Sequence, residues 1–182
     1  MRVTILAAAV VAALTACGAT TSDAGSDSAP PSTTATSSTG PQEPAVKVEL
    51  TFQDKPGLGL LAATNEGSAP ITVQGWPKLA FTNPAGEAVA IPVERKLVPG
   101  EGPPITLQPG QTAFAGVKLD EDDDTKSFAI DEMTAELPGL TPATVRFVGT
   151  DGKPVTGPGR IKVSDAEVGT LQPVAQGVLV FD

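Results

Sequence analysis

The sequence predicts an all-β fold, an immunoglobulin-like antiparallel β-sandwich preceded by a lipoprotein signal peptide and a disordered linker. Three observations carry the fold. Val46, Val48, Leu50 and Phe52 alternate with Lys47, Glu49, Thr51 and Gln53, the period-two pattern of a strand with one buried face. Short apolar runs then recur at Leu58 to Ala63, Ile71 to Val73, Leu79 to Thr82, Ala88 to Val93, Ile105 to Leu107, Thr112 to Leu119, Met133 to Leu137, Thr144 to Val148 and Val178 to Phe181. Turn signals separate them: Asn83-Pro84-Ala85-Gly86, Pro109-Gly110, Asp151-Gly152 and Pro158-Gly159, where proline fixes φ and glycine accepts positive φ. The best helical candidate, Asp131 to Leu137, is short and stops at Pro138, so it fits a strand as well. About seven short strands with turns between them is the usual pattern of an immunoglobulin-like sandwich. Val46 to Asp182 is long enough to bury roughly two-thirds of its unfolded surface without disulfides.

Residues 1–16 read as a signal peptide. Arg2 supplies a positive start, and Val3 to Ala16 is apolar except for Thr4 and Thr15, too short to span a hydrocarbon layer of about 30 Å. The run closes on Leu14-Thr15-Ala16-Cys17, which resembles a bacterial lipobox. That resemblance implies diacylglycerol on the Cys17 thiol, cleavage before Cys17 and acylation of the new amino terminus. Two or more acyl chains give stable attachment where one holds only marginally. The plainer alternative is an ordinary secretory signal with an incidental cysteine. Residues 17–45 carry serine, threonine and proline and no large apolar side chain, a composition that cannot bury a core and suits a disordered spacer of about 30 Å, with O-glycosylation compatible on composition alone. The domain boundaries expected are therefore 1–16, 17–45 and 46–182.

Composition narrows the chemistry. The chain has no His, no Tyr and one Cys, which excludes serine-histidine, cysteine-histidine and histidine-zinc sites. Its formal net charge is −9, from 12 basic and 21 acidic residues, with no clustered Lys/Arg footprint, so nucleic acid is not an expected partner and an anionic membrane surface repels it.

Three segments taken in order, Leu61-Ala62-Ala63-Thr64-Asn65-Glu66-Gly67, Gly75-Trp76-Pro77-Lys78-Leu79 and Leu107-Gln108-Pro109-Gly110-Gln111-Thr112-Ala113, resemble the actinobacterial domain of unknown function family four-two-three-two over roughly Val46 to Val148. The resemblance implies a secreted or lipid-anchored all-β protein with no established activity. The family commonly has a cysteine just before its threonine-hydrophobic-x-Gly-aromatic-Pro segment, where this chain has Ile71, so a disulfide does not carry over. Read physically, Asn65-Glu66-Gly67 suits a turn, and Leu107 to Ala113 a strand, a Pro-Gly turn and the next strand. These segments speak for a fold and not for catalysis.

Few side chains stand out as candidates for a site. Trp76, the only indole, is expected in core or half-buried packing, a ligand-stacking role requiring exposure. Asp120-Glu121-Asp122-Asp123-Asp124, with Asp131 further on, superficially copies a calcium loop, but Thr125 stands where the central glycine is required. A solvated acidic loop is the simpler reading. Gly57-Leu58-Gly59 lacks the third glycine and the helix of a dinucleotide motif.

No catalytic residue, cofactor or metal is therefore expected, and Cys17 is the one residue assigned a role, lipidation. The expected function is that of a membrane-anchored extracytoplasmic lipoprotein presenting a non-catalytic binding or accessory module to a protein or cell-wall partner. The alternative is a carboxylate-dependent hydrolase acting on envelope glycan, which requires paired acids in a cleft.

Overall fold

The computed structural model describes residues 46–120, 126–156 and 161–181. The signal segment, Cys17, the spacer, most of the acidic run (121–125) and Pro158-Gly159 lie outside the described residues. Those described form thirteen strands and no helix.

Nine strands build one mixed sheet in the order β5-β4-β10-β11-β1-β2-β8-β13-β6. They are β1 (Val46–Phe52), β2 (Leu58–Asn65), β4 (Lys78–Thr82), β5 (Ala88–Val89), β6 (Val93–Arg95), β8 (Thr112–Asp120), β10 (Glu132–Glu136), β11 (Ala143–Val148) and β13 (Asp165–Val168). Two further pairs stand apart from it: β3 (Ile71–Val73) with β7 (Ile105–Leu107), and β9 (Phe128–Ile130) with β12 (Ile161–Val163).

The alternation read along β1 fixes which face is inside. Val48 is paired with Ala63 and Val145, and Leu50 with Leu61 and Phe147, so the apolar positions of neighbouring strands share one face. That face is buried from Leu79 and Phe81 on β4, through Met133 and Ala135 on β10, to Ala166 and Val168 on β13. Its side chains form one cluster with Val73, Ile105 and Leu107 of one small sheet and Ile130 and Val163 of the other, giving a sandwich-like core. At the rim of the core the Phe52 and Phe147 rings stack with centroids 5.9 Å apart.

Several elements differ from expectation. Most ladders are antiparallel, but β1–β11 and β6–β13 pair in parallel, joining strands far apart in sequence. The run Ala88 to Val93 is split into β5 and β6, because Pro92 has no N–H to donate. Within Asp131 to Leu137 the strand reading holds, as β10. The short strands β9, β12 and β13 are additional to the expected apolar runs.

Val178 to Phe181 is not a strand, and that expectation is corrected. Val178 is fully buried in a segment that crosses the outer face of β8. A Cβ on Gly116 would collide with the Val178 carbonyl oxygen and the Phe181 ring, so this segment packs on the sheet by its atoms instead of joining the sheet by its hydrogen bonds.

Candidate functional site

Trp76 sits in the four-residue link between β3 and β4. The link turns sharply because Gly75 adopts φ +84°, a region that side chains with a Cβ rarely enter. The Gly75 carbonyl accepts a hydrogen bond of 2.7 Å from the Leu171 N–H. The indole is half-buried against the core, as its sequence context predicts, and its Nε1–H donates to the Lys96 carbonyl at 2.7 Å. β4 lies near one end of the sheet and β6 is the other end, so this bond ties the two ends together and holds the ring in one orientation.

Over the ring lies Arg95, its guanidinium carbon 5.9 Å from the ring centroid, within the range of a cation–π contact. Leu97, 60 % exposed, continues the same side of the strand. With Gln74, Glu101, Gly102 and Pro138 these residues line an open cleft of about 560 Å³, a size that suits small organic ligands.

The far rim is held by a buried threonine. Thr170 Oγ1 lies 2.7 Å from the Gly100 carbonyl and 3.1 Å from that of Val98, and it accepts a bond of 2.9 Å from Gln172 Nε2. Gly102 closes the same corner. A Cβ there would stand 2.9 Å from the Leu171 carbonyl oxygen, so only glycine lets the two backbones approach this closely.

Electrostatically the two cations of this region are opposites. Lys96 projects on the outer face, where its Nζ pairs with Glu94 at 2.9 Å and Glu167 at 3.1 Å. Hydrogen bonds to Glu94 and then Glu167 hold its ammonium above the ordinary lysine value, against a smaller opposing effect of desolvation. Arg95, on the cleft side, has no carboxylate within ion-pair distance among the described residues. Lys55 and Lys162 likewise have no carboxylate within ion-pair distance among the described residues, but neither lines this cleft. The hollow of about 340 Å³ beside β1 and β11 is bordered by Lys47 and Arg146, both paired with Glu49.

The other residues singled out in the sequence are structural or lie apart from the cleft. Asp120 ends β8, where its carboxylate pairs with Lys118 at 2.8 Å and its carbonyl accepts from the Ser164 N–H and hydroxyl. Asp131 is exposed, and among the described residues no three His, Cys, Asp or Glu side chains gather as a metal would require. Of Gly57-Leu58-Gly59, Gly57 closes the β1–β2 turn with φ +71° and accepts from the Leu119 N–H at 2.8 Å, while Leu58 and Gly59 open β2.

Asn65 is the hub of the expected turn. It is fully buried, its Nδ2 donates to the carbonyls of Ala69 and Leu107, and its Oδ1 accepts from the Gly67 N–H, each at 2.9 Å. Its backbone carbonyl accepts from Gly110 at 2.7 Å. Two of the three segments quoted for the family resemblance are thus joined through one side chain.

Sequence reasoning missed Arg95, Leu97, Glu101 and Pro138 as cleft residues. An arginine within Glu94-Arg95-Lys96 reads as an exposed charge, and only the folded chain reveals that Lys96 is paired while Arg95 has no ion pair among the described residues.

No curated protein and no solved structure matches this chain. A family model described as Domain of unknown function (DUF4232) matches residues 42–134, a span that contains Asn65, Trp76, Arg95 and Glu101 and stops before Pro138 and Thr170. As that match covers just over half of the sequence, the chain belongs to the DUF4232 family.

Proposed function

We propose that the protein is a membrane-anchored extracytoplasmic lipoprotein, held by lipid on Cys17, whose β-sandwich domain is a non-catalytic binding or accessory module for a protein or cell-wall partner. The observation that carries the binding role is the Trp76 cleft: an indole fixed by its own hydrogen bond, an exposed leucine and an arginine with no ion pair among the described residues, around about 560 Å³. Such groups serve recognition, since an apolar wall supplies affinity and a few polar groups supply orientation. Among the described residues Glu101 is the one carboxylate lining the cleft, and this supports a module over a hydrolase, which needs two acids astride the bond it breaks. The anchor is supported by Leu14 to Cys17 and by the absence of any second thiol. The net charge of −9 favours a basic or net neutral partner.

The test has two arms. Cys17→Ser is expected to move the protein from the membrane fraction to the soluble fraction, and a variant that stays with membranes like its parent overturns the anchor. The parent is expected to turn over neither envelope glycan nor simple esters. Turnover abolished by one Asp or Glu substitution overturns the non-catalytic reading.

A further inference from the structure

We infer that the Trp76 cleft recognises a free carboxylate carried on a flat or branched apolar group, with Arg95 as the residue that reads the carboxylate; this rests on the reading of the domain as a binding module. Arginine presents a planar fork of N–H donors whose geometry matches a carboxylate with two parallel bonds. In this molecule the guanidinium carbon lies over the Trp76 ring, 5.9 Å from its centroid, while the group has no carboxylate partner among the described residues. The adjacent Lys96, one residue on, is held by two glutamates, so the domain has acids enough to neutralise a cation here and leaves Arg95 unmatched.

The remaining walls set the rest of the ligand. Trp76, Leu97 and Pro138 supply apolar surface, and the bond from Nε1 to the Lys96 carbonyl takes up the only indole donor, so the ring offers a face and no hydrogen bond. A ligand whose apolar group lies along Leu97, Pro138 and the part of the indole left uncovered, with its carboxylate on the Arg95 N–H edge, satisfies both features. Long-range repulsion by a chain of net charge −9 works against a net anion, and Glu101 stands on the same rim. A ligand whose carboxylate is balanced by an ammonium group therefore has the advantage over a purely anionic one.

Three small probes separate these contributions: L-phenylalanine, N-acetyl-L-phenylalanine and L-phenylalaninamide, titrated into the full chain while the indole N–H resonance is followed. One Trp in the sequence means one such resonance. Both acids are expected to shift it, with at least tenfold tighter binding than the amide. Arg95→Gln is expected to bring the acids down to the level of the amide, leave the amide unchanged and melt with the parent. Arg95→Lys, which keeps the charge and loses the fork, is expected to fall between. Tighter binding of the free amino acid than of its acetylated form assigns the carboxylate to a free small molecule, and the reverse order assigns it to the end of a peptide. Either order supports the carboxylate site. Equal binding of acids and amide, or acids unaffected by Arg95→Gln, overturns the inference and leaves the binding-module reading standing. No shift with any probe also overturns it, while the membrane and turnover arms above decide that reading independently.

Discussion

Asn65 and Arg95 are both polar side chains inside the span matched by the family model, and they stand in opposite states. Asn65 is fully buried with every side-chain bond directed at the backbone of its own fold. Arg95 is exposed at a cleft, stacked on an indole, and lacks a partner for its N–H edge among the described residues. The contrast teaches where to look for function in a chain without a recognisable catalytic group. A buried polar group that is fully satisfied is explained by stability, because leaving it unpaired would cost about 1–3 kcal/mol. A charge left without an ion pair at the wall of a cleft, beside an indole, is a candidate for recognition in a way that a solvated charge on an open surface is not.

The sharpest way to break this comparison is at Asn65. Asn65→Ala removes three side-chain hydrogen bonds and strands the Leu107 and Ala69 carbonyls and the Gly67 N–H, so a loss of about 2–4 kcal/mol in unfolding free energy is expected. Denaturant titration measures it. A loss below about 0.5 kcal/mol would mean that water replaces the side chain and that the turn is not the hub described.

Thr170 stands between the two cases, being buried yet placed to shape the cleft rim. Thr170→Val keeps the volume and removes the hydroxyl bridging Gly100 and Gln172, with an expected cost of about 1–2 kcal/mol and weaker binding of L-phenylalanine. Full stability with weakened binding would assign Thr170 to the site alone.

The smallest effect is expected at Arg95. Arg95→Gln removes an exposed cation with no ion pair among the described residues, so a thermal melt should stay within about 0.5 kcal/mol of the parent. A larger loss would mean that the stack on Trp76 is structural and would move Arg95 to the side of Asn65.

Much of this fold is legible in the chain because its signals are local. Val46 to Phe52 alternates at period two and is a strand, and Leu107 to Ala113 reads as strand, turn, strand, with Gly110 at φ +82° and the Gln111 N–H bonded to the Gln108 carbonyl at 2.9 Å. Trp76 is legible as half-buried, since a large ring beside Gly75 and Pro77 at a strand entrance has few alternatives. The cleft around it is not. Gln74 comes from the link between β3 and β4, Arg95 from the end of β6, Leu97 and Glu101 from the connection after it and Pro138 from the connection after β10, and they meet only in the folded chain.

What the sequence by itself determined is therefore the all-β class, the buried face of the long strands and the turns between them, since each follows from side-chain period, proline φ or glycine freedom within a few residues. Tertiary structure alone decided the parallel pairings of β1 with β11 and of β6 with β13, the packing of Val178 and Phe181 on Gly116 in place of a final strand, and the difference between Lys96 and Arg95. These depend on which distant backbone or charge arrives alongside. An apolar run is equally apolar as a strand or as a covering segment, and a cation carries the same charge whether or not a glutamate reaches it.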